Sequence, residues 1–559
     1  MTAGPAPQWS RPAAGREPAA AALLSWLGDP LAPGLAVLTG GEGSGKSRLL
    51  AWLIGHGTRP GTTGDRRVHA FVPLAGQSAT TAVWMLGQQL SVAARSPGDL
   101  LAALAADRRR TVLALPALHA AEEPGSLVEL ALDLASLEHV RVLVEVRSGT
   151  PWEQALTAGP CARMDLDEPR WTDEARRASW DADHADEPVE RDPEPEEPFD
   201  LDDPASVCAA DPWSVSLAYE RSAESHGGLR PAWLRAGASL TREQPPAERA
   251  LVLLAALGDD ADPRLPAALG TVARDASWTV VWHRVRGDID PPWPGPARAL
   301  ASGTGPSGGH LVVADHQGTV RVLDADSARA TGRLPHSAAG VRALAVLDDG
   351  TVGVLDEHGL PHTRHTAESA KPRGLAALLD DGPSTGEQLL NAVREYARGG
   401  RETVTAMGST GEQVFLGDAD GTAHVVAVGA EPRTAALHQG RVTAIAGTPL
   451  PVSAAGDTAL LLYTGGADGT VRAWAPHAGP MPESVAERDC AVSALAVTTG
   501  DTGPVLAIAW ADGLVEQRAL GDDRLPTFHP GGQVHALAFT AEGDLVVGTD
   551  EALVRLQTR

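Results

Sequence analysis

Short apolar runs alternate with helix-like stretches in the first third of the chain. Four runs rich in aliphatic and β-branched residues have the length of buried parallel strands: Leu35–Thr39, Val68–Val72, Thr111–Leu115 and Val140–Val146. The helices predicted between them are Ser47–Ile54, Ala79–Val92 and a segment that Ser96 and Pro97 start and that runs to Ala106. This alternation predicts an α/β domain with a doubly wound parallel sheet.

The last part of the chain repeats a strand pattern, V-x-A-[LI]-A, with a period near 40 residues. The copies, of which the last two are looser, are Val341–Ala345, Val442–Ala446, Val492–Ala496, Val534–Ala538, Ala297–Ala301 and Val404–Gly408. About twenty residues after each copy comes a turn, usually Asp-Gly, and then another strand. We therefore predict an all-β propeller of six blades over residues 276–559.

Two features bear on how this propeller closes. The apolar stretch Trp278–His283 precedes the first copy and is expected to be the outer strand of the last blade, which removes the free sheet edges. An open sandwich is the alternative. One interval between copies is 63 residues long, about twenty more than a blade needs, and the pattern leaves open whether it holds an insertion.

An acidic stretch separates the two halves. From Asp181 to Asp203 there are twelve acidic residues and one base, with several prolines, so this stretch cannot bury enough apolar surface to fold alone. We predict a leader at 1–14, an α/β domain at 15–180, a linker at 181–212 and a helical segment at 213–275. In that segment Pro246 is expected to start a helix that ends before Gly258.

The charge and the composition exclude several classes of function. The net charge is −26, so we expect no nucleic-acid binding. No apolar run has the length of a membrane span and no secretory signal is visible, so no membrane partner is expected. The three cysteines lie far apart and form no metal or disulfide spacing, which predicts a reducing cytoplasm. Only two of the 46 basic residues are lysines, Lys46 and Lys371.

One of those two lysines lies in a glycine-rich loop between the first strand and the first long helix. The loop fits G-x-x-x-x-G-K-[ST] and comprises Gly40, Gly41, Glu42, Gly43, Ser44, Gly45, Lys46 and Ser47, with Arg48 following. Backbone N–H groups of such a loop surround phosphates, the lysine contacts the β- and γ-phosphates, and the Ser47 hydroxyl is a ligand for Mg²⁺. The sequence therefore predicts a binding site for ATP and Mg²⁺.

Hydrolysis also needs a carboxylate at the end of a neighbouring strand. Thr111–Leu115 is followed by proline and alanine, and no carboxylate follows where one is expected. Glu122 and Glu123 come later, on a predicted loop, and His119 is a further candidate for a general base. Arg147, just after the fourth strand, is a candidate for contact with the γ-phosphate. The pattern leaves open whether the chain is an ATPase.

The glycine loop, the helical segment and the repeats together resemble the STAND class of P-loop signalling NTPases, in particular bacterial members with WD-repeat propellers. Gly15, Arg16 and Glu17 resemble the family's Gly-Arg-Glu box, which implies that Arg16 and Glu17 lie near the nucleotide base. The strand that ends at Arg147 resembles the family's strand with a phosphate-sensing arginine. The family's acidic motif is absent here, and Trp474 is the only tryptophan at the place of the WD signature.

Two functions follow from these patterns. The first is an ATP-dependent signalling switch in which the propeller binds a protein partner and hydrolysis is weak or absent. The alternative is a non-catalytic scaffold in which nucleotide stabilises the fold and the propeller is a protein-binding platform. A homo-oligomer is compatible with both.

Overall fold

The structure, a computed structural model, describes residues 12–57, 63, 66–183, 198–293, 295–335, 340–365, 382–400, 402–410, 413–451, 458–501, 503–519 and 524–559. The chain divides into two compact units, Met1–Phe199 and Asp200–Arg559. Most of the predicted leader and the middle of the predicted linker lie outside the described residues. No helix within them is both long and apolar enough to cross a membrane.

The first unit is an α/β fold. Its strands are β1 (Leu35–Thr39), β2 (Ala70–Phe71), β3 (Thr111–Leu115), β4 (Val140–Glu145) and β5 (Ala162–Asp165). Its helices are α1 (Glu17–Gly28), α2 (Lys46–Gly57), α3 (Ala79–Leu90), α4 (Pro97–Ala106), α5 (Pro124–Ala135), α6 (Pro151–Leu156) and α7 (Glu174–Asp183). The strands form one parallel sheet in the order β2-β3-β4-β1-β5, which confirms the predicted α/β region with a parallel sheet.

The order of the strands places β1 between β4 and β5. In the register of the β1–β4 pair, Leu38 lies beside Glu145, so the end of β4 is next to the loop that leaves β1. All residues of β1, β3 and β4 are buried, and they include the charged residues Arg141 and Glu145 of β4. Strand β5 was not predicted, because only one of its four residues, Met164, is buried.

The second unit begins with helices. They are α8 (Pro204–Ala209), α9 (Pro212–Arg221), α10 (Leu229–Leu240), α11 (Pro246–Ala256) and α12 (Leu265–Val272). The stretch expected to be a linker therefore contains α8. Asp203 caps this helix by accepting hydrogen bonds from the N–H groups of Ala205 and Ser206, and Val207 and Cys208 are fully buried.

The rest of this unit is a β-propeller. Its strands in chain order are β6 (Trp278–Val285), β7 (Ala299–Ser302), β8 (His310–Ala314), β9 (Val320–Asp324), β10 (Ala330–Arg333), β11 (Val341–Val346), β12 (Thr351–Asp356), β13 (Pro361–His365), β14 (Val404–Thr410), β15 (Gln413–Asp418), β16 (Thr422–Ala427), β17 (Arg433–Ala436), β18 (Val442–Pro451), β19 (Thr458–Gly466), β20 (Thr470–Ala475), β21 (Gly479–Glu487), β22 (Val492–Gly500), β23 (Gly503–Trp510), β24 (Val515–Ala519), β25 (Thr527–Phe528), β26 (Val534–Phe539), β27 (Leu545–Thr549) and β28 (Ala552–Thr558). Within the described residues they form six antiparallel sheets, which confirms six blades.

The ring closes as predicted. Strand β6 pairs with β28 and becomes the outer strand of the last blade, so that blade combines the two ends of the propeller sequence. The V-x-A-[LI]-A copies are the innermost strands, and each contacts the inner strands of both neighbouring blades. In the last five blades the residue at position x is a β-bulge.

The 63-residue interval contains a helix, α13 (Thr385–Gly399). Its apolar side chains Leu389, Leu390 and Val393 are buried against the second and third blades. Among the described residues the second blade has three strands, and α13 packs against its outer strand β13, where Arg394 donates to the carbonyl oxygen of Pro361. The helix therefore covers a sheet edge that a fourth strand covers in the other blades.

Candidate functional site

The glycine-rich loop after β1 presents backbone N–H groups. Gly43 and Gly45 have φ of 74° and 84°, and a Cβ on Gly40 would lie 2.5 Å from the Ser44 hydroxyl, so these positions require glycine. Within the described residues, the N–H groups of Gly43, Gly45, Lys46 and Ser47 have no hydrogen-bond acceptor. Helix α2 starts at Lys46, so its positive N-terminal end is at the same place. The loop is therefore built to attract an anion.

Lys46 is folded back over this loop. Its Nζ donates to the carbonyl oxygens of Gly40 at 2.9 Å and Gly41 at 2.7 Å, and it lies 3.2 Å from the Ser44 hydroxyl. Burial lowers the pKa of the ammonium, and the negative charge of Glu145 opposes this effect. Carbonyl oxygens are weak partners for a cation, so an anionic ligand would compete well for Lys46.

A buried carboxylate contacts the next residue of the loop. The Ser47 hydroxyl lies 3.2 Å and 3.1 Å from the two carboxylate oxygens of Glu145, which is 3% exposed. Burial raises the pKa of Glu145, while hydrogen bonds from Ser47 and the Ala117 backbone and the charge of Lys46 lower it. Within the described ranges, no group of three or more His, Cys, Asp or Glu side chains that could hold a metal ion occurs.

Two side chains from outside the loop hold its shape. Arg16 is buried and donates to the carbonyl oxygen of Ser44, while its other nitrogen donates to the carbonyl of Leu166 and the hydroxyl of Thr172. On the other side, the Asp167 carboxylate accepts from the N–H of Gly41 at 2.8 Å. Arg16 therefore supports the loop directly, and the adjacent Glu17 forms an ion pair with Arg176 of α7.

The other residues singled out in the sequence lie at different places. Glu122 and Glu123 are exposed, and Glu123 accepts a 3.5 Å hydrogen bond from the N–H of Ala79. Arg147 forms an exposed ion pair with Glu42 of the loop, 3.1 Å apart. His119 lies on a short 3-10 helix after β3, and its Nδ1 is buried with no partner among the described residues. Burial and the charges of Arg147 and Lys46 lower the pKa of His119.

Sequence reasoning missed Glu145 and Asp167. Glu145 was read as part of an apolar strand, although it is the only carboxylate in the run Val140–Val146. An ionisable residue in an otherwise buried strand is a usable signal, because burial of an unpaired charge is costly. Asp167 follows the unpredicted strand β5, so the sequence carried no comparable signal for it.

The propeller offers a second candidate site at the centre of its ring. The six inner strands enclose a cavity of about 320 Å³. The residues before the alanine of each inner strand line it: Arg298, Arg342, Thr405, Thr443, Ser493 and His535. Arg298 and Arg342 are exposed, and Arg298 lies 3.0 Å from the Nε2 of His535. All six of these side chains are polar or charged.

Comparisons with known proteins add little to this geometry. No family model and no curated protein matches the chain. Solved structures that match include the structure of U3-55K, with 13% identity and a TM-score of 0.32, over 49% of this chain and 98% of that chain. The crystal structure of RRP9 WD40 repeats has the same identity and TM-score, over 50% of this chain and 100% of that chain. Such distant likenesses carry no functional argument, and the propeller is established by its strand pairing.

Proposed function

We propose that this protein is an ATP-binding signalling switch of the STAND type, with Mg-ATP in the loop Gly40–Ser47 and a protein partner on the propeller. The observation that carries the proposal is that three groups coincide at the carboxyl ends of the neighbouring strands β1 and β4. Backbone N–H groups without acceptors, the Lys46 ammonium and the Ser47–Glu145 pair all lie around the same loop.

These residues fit the chemistry of a bound Mg-triphosphate. The free N–H groups and the N-terminus of α2 would bind phosphate oxygens, and Lys46 would exchange its carbonyl partners for a phosphate. Ser47 and Glu145 supply the hydroxyl and the carboxylate that Mg²⁺ takes alongside phosphates and water. A bound Mg²⁺ would neutralise part of the negative charge of the phosphates. Glu145 thus takes the place of the acidic residue that the sequence after β3 lacks.

The second candidate function is a scaffold that binds nucleotide without hydrolysing it. Its support is that Glu122 and Glu123 are exposed, so neither is held beside Ser47. His119 is the remaining candidate for activating water. Its Nδ1 has no partner among the described residues, and burial and the charges of Arg147 and Lys46 lower its pKa, which favours the neutral form that a base needs. Both candidate functions require ATP binding, and they differ in turnover and in what binding does to the propeller.

Calorimetric titration of Mg-ATP, followed by a phosphate-release assay, tests the proposal. We expect saturable binding by the wild-type protein, loss of binding in Lys46→Ala, and slow or no phosphate release. A wild type and a Lys46→Ala variant with equal affinity would overturn the nucleotide site. Phosphate release that Lys46→Ala abolishes would establish an ATPase, and its absence would leave a switch or a scaffold that works through binding alone.

The propeller supports the proposed binding of a protein partner. Arg298 and Arg342 line the central cavity and are exposed, and Arg298 also pairs with Asp550 at 3.6 Å. We infer that these two arginines favour a protein partner with acidic groups. We also propose a cytoplasmic protein, because Cys161, Cys208 and Cys490 are all unpaired.

A further inference from the structure

Helix α7 carries one large apolar side chain among polar and small ones. The helix reads EARRASWDAD, so Trp180 is its only large apolar residue. Residues 174–179 are exposed, whereas Trp180 is partly buried. A polar surface helix gains little from a tryptophan unless the ring packs against something specific.

One face of α7 runs along the nucleotide site proposed above. At its start, the N–H of Asp173 donates to the carbonyl oxygen of Gly15 at 2.7 Å. One turn later Arg176 pairs with Glu17, and after another turn the Trp180 ring centroid lies 5.9 Å from the guanidinium carbon of Arg48. Positions 173, 176 and 180 share a helix face, so the face that meets segment 15–17 ends with Trp180 beside the start of α2.

The direction of a bound nucleotide follows from the loop. In a loop of this kind the lysine, here Lys46, contacts the β- and γ-phosphates. The N–H groups at the start of the following helix, here α2, bind the α- and β-phosphates. The nucleoside therefore leaves the loop past the residues that follow Ser47, which is where Arg48 and Trp180 meet. An indole ring is a good platform for a nucleobase, because each base has a π-face.

We propose that the base of bound ATP stacks on the indole of Trp180, so that α7 is a base-binding element of the site. The inference rests on the proposed binding of ATP to Gly40–Ser47. Trp180 would supply the contact that distinguishes a nucleoside triphosphate from inorganic tripolyphosphate, which has no base.

Calorimetric titrations of Mg-ATP and of Mg-tripolyphosphate into the full chain test this inference. The variants are Trp180→Ala, Trp180→Phe, Lys46→Ala and, as a matched control on another face of α7, Ser179→Ala. We expect Trp180→Ala to weaken ATP binding by about 5- to 100-fold and to leave tripolyphosphate binding within about twofold of wild type. Trp180→Phe should retain most of the ATP affinity, and Ser179→Ala all of it. Lys46→Ala should weaken both ligands.

Three results would overturn the inference. If Trp180→Ala binds ATP as tightly as wild type while Lys46→Ala does not, the phosphate site stands and the base lies elsewhere. Equal losses of ATP and tripolyphosphate in both Trp180 variants, with an unchanged circular dichroism spectrum, would show that the ring only supports the loop. If the wild type binds neither ligand, the proposed nucleotide site fails and this inference fails with it.

Discussion

Glu145 shows how one buried side chain defines the chemistry of a site. Its carboxylate is nearly inaccessible, and it faces a serine hydroxyl, a backbone N–H and the positive charge of a lysine. Burial raises its pKa, so a divalent cation nearby would stabilise the charged form. A carboxylate kept in this way is costly to the fold, and Mg²⁺ bound at the proposed site would reduce that cost.

Replacing Glu145 tests this explanation. We expect Glu145→Gln to weaken Mg-ATP binding by roughly 10- to 100-fold, because a metal-associated carboxylate is lost. ATP binding in excess EDTA should change little. Titrations with and without Mg²⁺ measure the difference, and Glu123→Gln, at an exposed carboxylate, is the matched control. Equal Mg²⁺ dependence in wild type and Glu145→Gln would contradict a role in holding the cation.

His283 makes the stability of the second unit sensitive to pH. Burial and the positive charges of Arg284 and Arg235 lower its pKa to about 4. The unfolded chain binds this proton at a pKa of about 6.5, so between pH 6.5 and 4 the unfolded state holds more protons. The free energy of unfolding should therefore decrease as the pH falls through this window, by on the order of 3 kcal/mol for this histidine.

Urea unfolding at pH 7.5, 6.5, 5.5 and 5 measures this effect. His283→Gln should reduce the slope of this decrease by the equivalent of close to one proton. His529, whose pKa burial also lowers, should keep part of the decrease. The same substitution at the exposed His316 should leave the pH dependence unchanged. Parallel curves for wild type and His283→Gln would show that His283 does not control the pH dependence.

At the scale of elements, the sequence predicted the parts of the fold that are buried. The inner strands repeat because each occupies the same environment at the centre of the ring. Outer strands such as β10 and β17 have almost no buried residues, so their sequences carry no apolar pattern. Helix α13 was recognised only in the structure, where the neighbouring blades cover Leu389 and Val393.

The candidate site was predictable in the same partial way. The glycine loop has a local pattern, because its conformation depends on consecutive residues. The Glu145 carboxylate has no such local pattern. Glu145 lies beside Ser47 only because β4, and not β3, is the neighbour of β1 in the sheet. Contacts between distant segments depend on this order, which the pattern of apolar runs leaves open.

Strand β6 provides an element-scale test of ring closure. Trp278 is fully buried at its start, and its Nε1 donates to the carbonyl oxygen of Thr527 at 3.1 Å, whereas Val281 on the same strand is 45% exposed. We expect Trp278→Ala to lower the free energy of unfolding by about 3–5 kcal/mol through lost packing. Val281→Ala should change it by less than about 0.5 kcal/mol. If urea titrations gave similar changes in the free energy of unfolding for both substitutions, they would argue against closure of the ring by β6.

For the whole molecule, the proposed nucleotide site and the propeller belong to different compact units. A ligand shifts an equilibrium between two states only by the difference in its affinity for them. Tight ATP binding alone therefore makes a stable first unit and not a switch. At 100 times its dissociation constant, ATP would stabilise that unit by about 2.7 kcal/mol in either case. What separates a switch from a scaffold is whether the second unit responds.

Hydrogen exchange of the full chain with and without Mg-ATP measures that response. A switch predicts slower exchange around residues 40–48 and 140–147 together with altered exchange in loops of the propeller, because one equilibrium governs both units. Lys46→Ala should remove both effects, which ties the propeller response to the loop. Protection confined to the first unit, with an unchanged propeller, would instead establish the scaffold, in which ATP stabilises one unit and the partner site works without it.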